Sequence, residues 1–347
     1  MKQRFRPLTP RNFFVKKFHQ KLYHLQWHVC KNLKFLNVKM PTIKVAKHAG
    51  FCFGVKKAIE IAEEVAQNNQ EKTYVYGQLV HNEKVIKDLE NKGIIFVENI
   101  DEIPQSAVTV LRAHGEPGIT YQLLEQKSIV KEKNLNDATC PLVTLVHNVA
   151  IKLKTNGFEV ILFGKSNHPE AIGTSSHIKG KDTFIVEDPS QADLVVDYIK
   201  KNNFEKVAII SQTTMSVNGY KSLIDDINLK LQDIKFEEIH LSLKDLSRKY
   251  GYVDTICNPT KQRQSDTEEL AKESDIIIVI GGKNSSNSKE LYTKCRELCV
   301  QSFFIQSQEQ MQKEWFIGKE KIGITAGAST PDYLINDVVE KIKEISK

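Results

Sequence analysis

The sequence lacks the features that mark membrane, disulfide-rich or disordered proteins. Its longest purely aliphatic run, Ile276–Ile280, is far shorter than the roughly 20 apolar residues that span a bilayer. Six cysteines in 347 residues are too few for a disulfide scaffold, and none of them form the Cys-x-x-Cys pair of a zinc ribbon. The hydrophobic fraction of 40% and charged fraction of 27% are ordinary for a folded chain. We therefore expect a soluble globular protein of two or three domains, without a membrane partner.

Residues 1–39 contain no acidic residue and no serine. Ten of the 49 Lys and Arg residues lie there but none of the 43 Asp and Glu residues, so residues 40–347 carry a formal charge of −4. The basic balance thus belongs to this leader, and we expect no nucleic-acid partner for the rest. The leader has no secretory signal, so it is either an organellar transit peptide or an upstream extension before Met40. We expect it to be dispensable and the protein to be cytoplasmic, with organelle import through residues 1–39 left open.

From Met40 onward, short apolar runs alternate with amphipathic stretches. This alternation predicts an α/β fold with parallel sheets. The predicted strands are Ile43–Ala46, Tyr74–Tyr76, Val108–Leu111, Glu159–Phe163, Val207–Ser211, Ile276–Ile280, Ser302–Ile305 and Lys321–Thr325. The predicted helices are Val55–Gln67, Glu83–Asn91, Leu142–Thr155, Val217–Leu231, Gln264–Glu273, Ser288–Leu298 and Asp332–Ile345.

Three cysteines share one local context. Cys52, Cys140 and Cys257 each come just before a predicted helix, with gaps of 88 and 117 residues between them. The helix dipole and free N–H groups at such a position favour the thiolate. Three converging thiolates would suit a soft metal centre with one open position, but spacing alone does not show that they converge. The alternative is a small buried hydrophobe, as we expect for Cys295 and Cys299, four residues apart on one helical pattern.

Polar clusters also follow predicted strands, at the edge where parallel sheets bind ligands. Three contain a histidine, His81, His114 and His168, and a fourth is the Ser- and Asn-rich run over residues 284–288. Imidazolium groups, hydroxyls and a helix N-terminus would bind an anionic oxygen such as that of a diphosphate. Neither the G-x-x-x-x-G-K-[ST] nor the G-x-G-x-x-G motif is present, so nucleotide binding of those kinds is not predicted. Simple helix capping by serine is the alternative for the fourth cluster.

Glu170 lies two residues after His168 and also has two interpretations. An acidic residue in the first turn of a helix stabilises the helix dipole. In a cleft of low dielectric constant, the same carboxyl could hold and deliver a proton.

Nine motifs in order resemble the 4-hydroxy-3-methylbut-2-enyl diphosphate reductase family of the methylerythritol phosphate pathway to isoprenoids. The resemblance covers about residues 43–345. The motifs are Gly50–Val55, Val80–Asn82, Ala113–Gly115, Asp137–Thr144, His168–Glu170, Ser211–Val217, Ile256–Cys257, Lys283–Ser288 and Thr325–Ser329.

The resemblance implies a fold, a cofactor and a reaction. Three α/β units, expected over residues 40–140, 141–253 and 254–347, would surround a central iron–sulfur cleft in pseudo-threefold array. Cys52, Cys140 and Cys257 would hold one [4Fe–4S] cluster with one iron free of protein ligands to act as a Lewis acid. Two electrons from a ferredoxin or flavodoxin would then remove the hydroxyl of the allylic diphosphate as water. The products would be isopentenyl and dimethylallyl diphosphate.

The resemblance also implies residue roles. Glu170 would supply protons, and Thr213 would help to order the hydroxyl end of the substrate. Binding of the diphosphate would fall to seven residues: His81, His114, His168, Ser285, Ser286, Asn287 and Ser329. Two rival functions remain, a dehydratase similar to quinolinate synthase and a non-catalytic iron–sulfur sensor. The dehydratase would not need the 284–288 cluster beside three histidines, and the sensor would need neither a proton-delivering Glu170 nor a diphosphate pocket.

Overall fold

The computed structural model describes residues 40–298 and 301–346. The predictions for the leader and for Cys299 lie outside these residues. No helix within the described part of the chain is both long enough and apolar enough to cross a membrane.

The described chain alternates between short strands and helices, as predicted. Its strands are β1 (Thr42–Val45), β2 (Thr73–Tyr76), β3 (Ile94–Val97), β4 (Val108–Leu111), β5 (Leu135–Asp137), β6 (Glu159–Phe163), β7 (Ile185–Val186), β8 (Val207–Ser211), β9 (Glu237–Glu238), β10 (Tyr250–Tyr252), β11 (Ile276–Ile280), β12 (Gln301–Ile305) and β13 (Lys321–Ala326). Its α-helices are α1 (Phe53–Asn68), α2 (Glu83–Glu90), α3 (Gly118–Gln126), α4 (Pro141–Thr155), α5 (Pro169–Ser176), α6 (Ala192–Asn202), α7 (Val217–Lys230), α8 (Leu243–Leu246), α9 (Asn258–Glu273), α10 (Ser286–Glu297) and α11 (Asp332–Ile345). All eight predicted strands and all seven predicted helices are present, most with ends shifted by one or two residues. The exception is α9, which begins six residues earlier than predicted, at Asn258.

The strands form three sheets, and each recorded pairing in the described residues is parallel. Their strand orders are β3-β2-β4-β5, β7-β6-β8-β10-β9 and β1-β13-β11-β12. We call them the first, second and third sheets. The predicted α/β fold built from three units is confirmed.

The third sheet combines the two ends of the described chain. β1 pairs with β13 from Thr42 opposite Lys321 to Val45 opposite Ile324. Sequence order alone would assign β1 to the first unit, because it precedes β2 along the chain. The predicted units, residues 40–140, 141–253 and 254–347, stay a prediction. The pairing of β1 with β13 places one strand of the first predicted unit in the sheet of the third.

Each sheet is covered on both faces, and β11 shows how the sequence encodes this. All five of its residues are buried, with exposed fractions of 0%. Ile276, Ile278 and Ile280 pack into one apolar cluster, whereas Ile277 and Val279 pack into the cluster on the opposite face. Successive side chains of a strand point to opposite faces, so a continuous apolar run is what a strand buried on both faces requires.

Some elements were not predicted, for physical reasons that differ. β7 and β9 have two residues each, too few to show any alternation. Helix α5 contains Gly173 among Ser and Thr residues, so its helical propensity is low. Helix α6 does carry a readable signal, since its buried residues Ala192, Val195, Val196 and Ile199 follow the i, i+3, i+4, i+7 spacing.

Candidate active site

The carboxyl ends of the strands in all three sheets border a single cavity. Its volume is about 730 Å³, including its open mouth. It is lined by all twelve residues proposed from the sequence: Cys52, His81, His114, Cys140, His168, Glu170, Thr213, Cys257, Ser285, Ser286, Asn287 and Ser329. Every one of them follows a strand, which is where loops of parallel sheets place ligand-binding groups.

The three cavity cysteines are the N-cap residues of three helices. Cys52 caps α1, Cys140 caps α4 and Cys257 caps α9. The Sγ atom of Cys52 accepts the N–H of Val55 at 3.5 Å, and the Sγ atom of Cys257 lies 3.2 Å from the Oγ1 atom of Thr260. The predicted placement of these thiols at helix N-termini is therefore what the structure contains.

Burial opposes the thiolate at two of these positions. It raises the pKa of Cys140, against the lowering effect of the N–H groups of Leu142 and Val143. It raises the pKa of Cys257 to about 11, although hydrogen bonds from Thr260 act in the opposite direction. At Cys140 and Cys257 the helix ends alone therefore do not produce thiolates, whereas a metal that displaces the protons would.

The chemistry of the donor set fits an iron–sulfur cluster. Cys52, Cys140 and Cys257 are free thiols rather than a disulfide, and all three are partly accessible from the cavity. Thiolate sulfur is the ligand that iron–sulfur clusters use.

A glycine allows two of the cysteine-bearing turns to meet. A Cβ atom on Gly54, the second residue of α1, would lie 2.4 Å from the Sγ atom of Cys140. Real Cβ atoms essentially never approach other atoms that closely. Gly54 is therefore required for Cys140 to stand beside the start of α1.

Three histidines from two sheets form a compact group in the same cavity. The ring centroid of His81 lies 4.3 Å from that of His114 and 5.2 Å from that of His168, and the other two centroids are 5.4 Å apart. Two buried ring nitrogens, Nε2 of His81 and Nδ1 of His114, have no hydrogen-bond partner. Buried polar atoms that lack a partner, on residues that line one cavity, indicate a ligand-binding position.

These histidines are neutral at pH 7 in the structure. Burial, followed by the charge of Arg112, lowers the pKa of His81 to about 4. Burial and the neighbouring His81 lower the pKa of His168 to about 3. The pKa of His114 lies well below its ordinary value for the same reasons.

The group could hold a cation or an anion, and its surroundings favour an anion. One ring nitrogen of each histidine lies within 4.8 Å of the others, a spacing compatible with a metal ion. However, the positive charges of Arg112 and Lys289 act on His81 and His168, and at His81 they outweigh the negative charge of Glu83. Such charges would repel a cation and attract a phosphate group.

Helix N-termini add to this preference. His168 caps α5, and its ring nitrogen accepts the N–H of Glu170 at 3.2 Å. Asn82, next to His81, caps α2, and Ser285 caps α10. Residues in the first turns of α5 and α10 line the cavity, so the positive dipole ends of these two helices lie there, as is usual at phosphate sites.

The Ser- and Asn-rich run divides between packing and the cavity. Ser288 is fully buried, donates to Ser285 at 2.9 Å and lies against Gly281, so it is structural. Ser286 and Asn287 line the cavity, and the buried Nδ2 atom of Asn287 has no partner. Both interpretations of this run, helix capping and ligand binding, therefore apply to different residues within it.

Two sheets meet closely at this point. A Cβ atom on Gly282 would lie 2.2 Å from the carbonyl oxygen of His81. The same oxygen accepts the hydroxyl of Ser329 at 3.0 Å. These contacts connect the histidine loop of the first sheet to the Ser and Asn loops of the third.

Glu170 is a buried carboxyl that Thr213 holds in place. Its exposed fraction is 2%, and burial raises its pKa to about 7, against the lowering effect of two hydrogen bonds from Thr213. The coulombic effect of Glu170 raises the pKa values of Cys140 and Cys257, so the carboxyl lies within electrostatic range of both thiols. A carboxyl that titrates near neutral pH can store and release a proton under working conditions.

Two residues at or near the cavity were not predicted from the sequence. Thr260, three residues after Cys257, lines the cavity and contacts the thiol, and its position in the first turn of a capped helix could have indicated this. Arg112, two residues before His114, carries positive charge next to the histidines while it pairs with Glu116. The Arg-x-His spacing after a strand could have been recognised in the sequence, but the pairing of Arg112 with Glu116 could not.

Comparison with known proteins gives a consistent result. The family profile described as LytB protein matches residues 43–343. The 4-hydroxy-3-methylbut-2-enyl diphosphate reductase of Aquifex aeolicus is 36% identical over 309 residues, which cover 88% of this chain and 97% of that protein. The reductase of the same name from a Nitratiruptor species is 38% identical over 306 residues, covering 87% and 98% respectively.

Solved structures show the same likeness. The E-1-hydroxy-2-methyl-but-2-enyl-4-diphosphate reductase of Plasmodium falciparum superposes with a TM-score of 0.73 at 28% identity, covering 87% of this chain and 88% of that one. A second structure, described as (E)-4-hydroxy-3-methyl-but-2-enyl diphosphate reductase, the terminal enzyme of the non-mevalonate pathway, gives a TM-score of 0.58 at 35% identity. That match covers 88% of this chain and all of that chain.

Proposed function

This chain belongs to the LytB protein family, and from that membership we propose that it is the reductase that acts on 4-hydroxy-3-methylbut-2-enyl diphosphate. One observation supports the proposal most directly. A single cavity contains three thiols, three histidines in a positive environment and a carboxyl that titrates near pH 7. These groups correspond to the three requirements of a reductive dehydroxylation, namely an electron source, a diphosphate site and a proton donor.

The reaction removes the allylic hydroxyl and must balance protons and electrons. Two electrons and two protons convert the alcohol into water and an isoprenoid diphosphate. The products are isopentenyl and dimethylallyl diphosphate, which differ in the carbon that receives the second proton. The enzyme is therefore an oxidoreductase of isoprenoid biosynthesis.

We propose that Cys52, Cys140 and Cys257 hold one [4Fe–4S] cluster. When bound, such a cluster supplies electrons and an iron that is free to act as a Lewis acid. The support from this chain is the free state of the three thiols, their common cavity and the close approach of Cys140 to Gly54.

We propose that the diphosphate occupies the histidine end of the cavity. His81, His114 and His168 would take up protons as the anion arrives, and the unpartnered nitrogens of His81, His114 and Asn287 would gain acceptors. Ser285 and Ser286 would add hydroxyl donors, and Ser329 would add a third if its hydroxyl turned from the carbonyl oxygen of His81 to the anion. Because the anion is held by groups from the first, second and third sheets, its binding also fixes the hydroxyl end of the substrate relative to the thiols.

We propose that Glu170 delivers the proton with which the hydroxyl leaves as water. Thr213 holds its carboxyl through the main-chain N–H at 2.6 Å and the hydroxyl at 2.8 Å. Because burial raises its pKa to about 7, this carboxyl is partly protonated at neutral pH and can supply a proton to the leaving group. The role expected for Thr213, ordering the hydroxyl end, would then be exerted in part through Glu170.

The electron donor is proposed to be an acidic carrier of the ferredoxin or flavodoxin class. The first turns of α1 and α4 meet where Gly54 abuts Cys140, beside the proposed cluster. Phe53 is 64% exposed and Leu145 is 57% exposed there, and the lysines at positions 56 and 57 are exposed as well. An apolar centre flanked by positive charge suits an acidic partner. The cytoplasmic location predicted from the sequence stays a prediction.

One experiment tests the function as a whole. The protein is purified without oxygen, its iron and sulfide are measured, and it is reduced and incubated with 4-hydroxy-3-methylbut-2-enyl diphosphate. We expect isopentenyl and dimethylallyl diphosphate to appear. A protein that contains the cluster but leaves this substrate unchanged would instead support the sensor or the quinolinate-synthase-like dehydratase.

A further inference from the structure

Arg263 is a buried cation without a carboxylate partner. Its exposed fraction is 5%, and it lies in the second turn of α9. Its Nη2 atom donates to the carbonyl oxygen of Gly50 at 2.6 Å, and its Nη1 atom donates to that of Pro259 at 2.9 Å. Its Nε atom has no hydrogen-bond partner. Within the described residues, the guanidinium forms no ion pair, so its positive charge is not neutralised by a side chain in contact with it.

Two other cations of low exposure within the described residues are paired. Arg112 forms an ion pair with Glu116, and Lys294, whose exposed fraction is 5%, lies 3.5 Å from Glu268. A buried charge is stable only when an opposite charge or sufficient hydrogen bonds compensate for the water it has lost. Two carbonyl oxygens compensate for Arg263 in part, and the unpartnered Nε atom shows that the compensation is incomplete.

The position of Arg263 indicates where the missing negative charge lies. Gly50 is two residues before Cys52, and Pro259 is two residues after Cys257. The guanidinium therefore bridges the two turns that carry these cysteines. Burial lowers its pKa, whereas the thiolate forms of Cys52 and Cys257 act to raise it, ahead of the carboxylate of Asp266.

Asp266 does not replace the thiolates as a partner. Its carboxylate accepts the main-chain N–H of His48 at 2.8 Å and lies 2.7 Å from the Nδ1 atom of the same residue. The Asp266 carboxylate also raises the pKa of Arg263, but less than Cys52 and Cys257 do. The charges nearest in effect to Arg263 are thus those that appear when the two thiols lose their protons to a metal.

We propose that Arg263 is a positioning residue whose buried charge balances the thiolates of Cys52 and Cys257, and thereby sets how firmly the cluster is held and how easily it is reduced. This inference rests on the proposed three-cysteine ligation. It assigns a role to Arg263, a residue that the proposed reaction itself does not use.

The direction of the effect follows from charge. Reduction adds an electron to a centre already surrounded by thiolates, and a fixed positive charge nearby favours the reduced form. Removal of that charge makes reduction harder, so the midpoint potential falls. It also leaves the oxidised centre with less compensation, so iron is lost sooner to a chelator.

The test compares Arg263→Met, Arg263→Lys and the matched control Lys294→Met with wild type, each purified without oxygen as the loaded enzyme. Lys294 is equally buried, and Glu268 keeps a second partner, Lys272 at 3.0 Å, when Lys294 is removed. The measurements are the midpoint potential by spectroelectrochemical titration and the rate of iron loss to a chelator. Circular dichroism verifies the fold.

In Arg263→Met, we expect the reduction equilibrium to shift at least ten-fold towards the oxidised form, about 59 mV for one electron, with iron loss at least ten-fold faster. Arg263→Lys, which keeps the charge but cannot make the same two-pronged contact, should retain a potential close to that of wild type. Lys294→Met should match wild type in both measurements.

Three results would overturn the inference. An unchanged potential in folded, loaded Arg263→Met would show that the charge has no effect on the cluster. If Arg263→Lys were as impaired as Arg263→Met, the contact to Gly50 and Pro259 would matter and the charge would not. If Lys294→Met shifted the potential equally, any buried cation would suffice. If wild type itself took up no cluster, the proposed function would be wrong, and that result is distinct from a failure of the inference about Arg263.

Discussion

Thr213 donates both its main-chain N–H and its hydroxyl to the two carboxylate oxygens of Glu170, at 2.6 and 2.8 Å. The two residues are 43 positions apart: Glu170 lies in the first turn of α5, after β6, and Thr213 lies in the loop after β8, the neighbouring strand of the second sheet. Burial raises the pKa of Glu170 to about 7, and these bonds restrain the increase. The pair thus sets both the position and the proton affinity of the proposed acid.

Glu170→Gln separates the catalytic interpretation from the helix-dipole interpretation. The amide keeps the shape of the side chain but has no acidic proton. If Glu170 delivers a proton, turnover should fall by ~10²–10⁴-fold with iron content unchanged. If it only favours the helix dipole, the variant should lose at most ~1 kcal/mol of stability and keep its activity. Steady-state rate, iron content and thermal unfolding of the same preparation distinguish these results.

Thr213→Val should move the pH profile. Activity requires the protonated carboxyl, so it declines as pH rises through the pKa of Glu170. The variant loses the hydroxyl bond that lowers this pKa but keeps the N–H bond, so the pKa rises and the decline should occur at higher pH. Thr214→Val is the control, because that hydroxyl accepts from Gln212 at 3.0 Å and makes no contact with Glu170. Identical profiles for wild type and Thr213→Val would contradict the assignment of the decline at high pH to Glu170.

Diphosphate binding should be accompanied by proton uptake at the histidines. His81 and His168, with pKa values of about 4 and 3, are neutral at pH 7, and an anion raises those values. Calorimetry with pyrophosphate, in two buffers of different ionisation enthalpy and corrected for protonation of pyrophosphate itself, should show net uptake. Affinity should therefore weaken as pH rises.

The control for this experiment is His177→Asn. The pKa of His177 is also lowered by burial, but its ring contacts that of His147 at 4.5 Å, and neither residue lines the cavity. Its removal should leave proton uptake unchanged. Binding with no buffer dependence in wild type would show instead that neutral imidazoles hold the anion.

The four described cysteines should divide into two groups. Each of the variants Cys52→Ser, Cys140→Ser and Cys257→Ser removes a soft ligand, so iron content and activity should both collapse. Cys295 is fully buried in the third sheet's apolar cluster, and Cys295→Ala should cost about 1–2 kcal/mol of stability while iron is retained. Iron analysis beside thermal unfolding decides the matter. A folded Cys295→Ala protein without iron would mean that the ligand set is wrong.

Gly54→Ala should disturb the cluster site without any change to a ligand. The new Cβ atom would lie 2.4 Å from the Sγ atom of Cys140, so the thiol or the helix start must shift. Overpacking of this kind costs ~1–3 kcal/mol, and we expect iron content to fall in a folded protein. Gly118→Ala is the matched control, because a Cβ atom there meets nothing within 4 Å and the residue also begins a helix. Normal iron content in Gly54→Ala would show that the turn is more tolerant than its packing indicates.

The sequence by itself determined the elements and their chemistry. Apolar runs such as Ile276–Ile280 predict buried strands, and a thiol or hydroxyl just before a helix predicts a cap, because both signals are local in the chain. The residue types needed for soft-metal binding, anion binding and proton transfer could therefore be named in advance. The α6 pattern at Ala192–Ile199 was equally local and was missed.

Only the tertiary structure decided how these parts meet. Cys52 and Ser329 line one cavity although 277 positions separate them, and β1 pairs with β13 rather than with its neighbour in sequence. The pKa of Glu170 and the unpaired charge of Arg263 depend on burial and on groups that other segments bring near. Periodicity specifies which side of an element is buried, whereas convergence and electrostatics arise from contacts between segments distant in the chain.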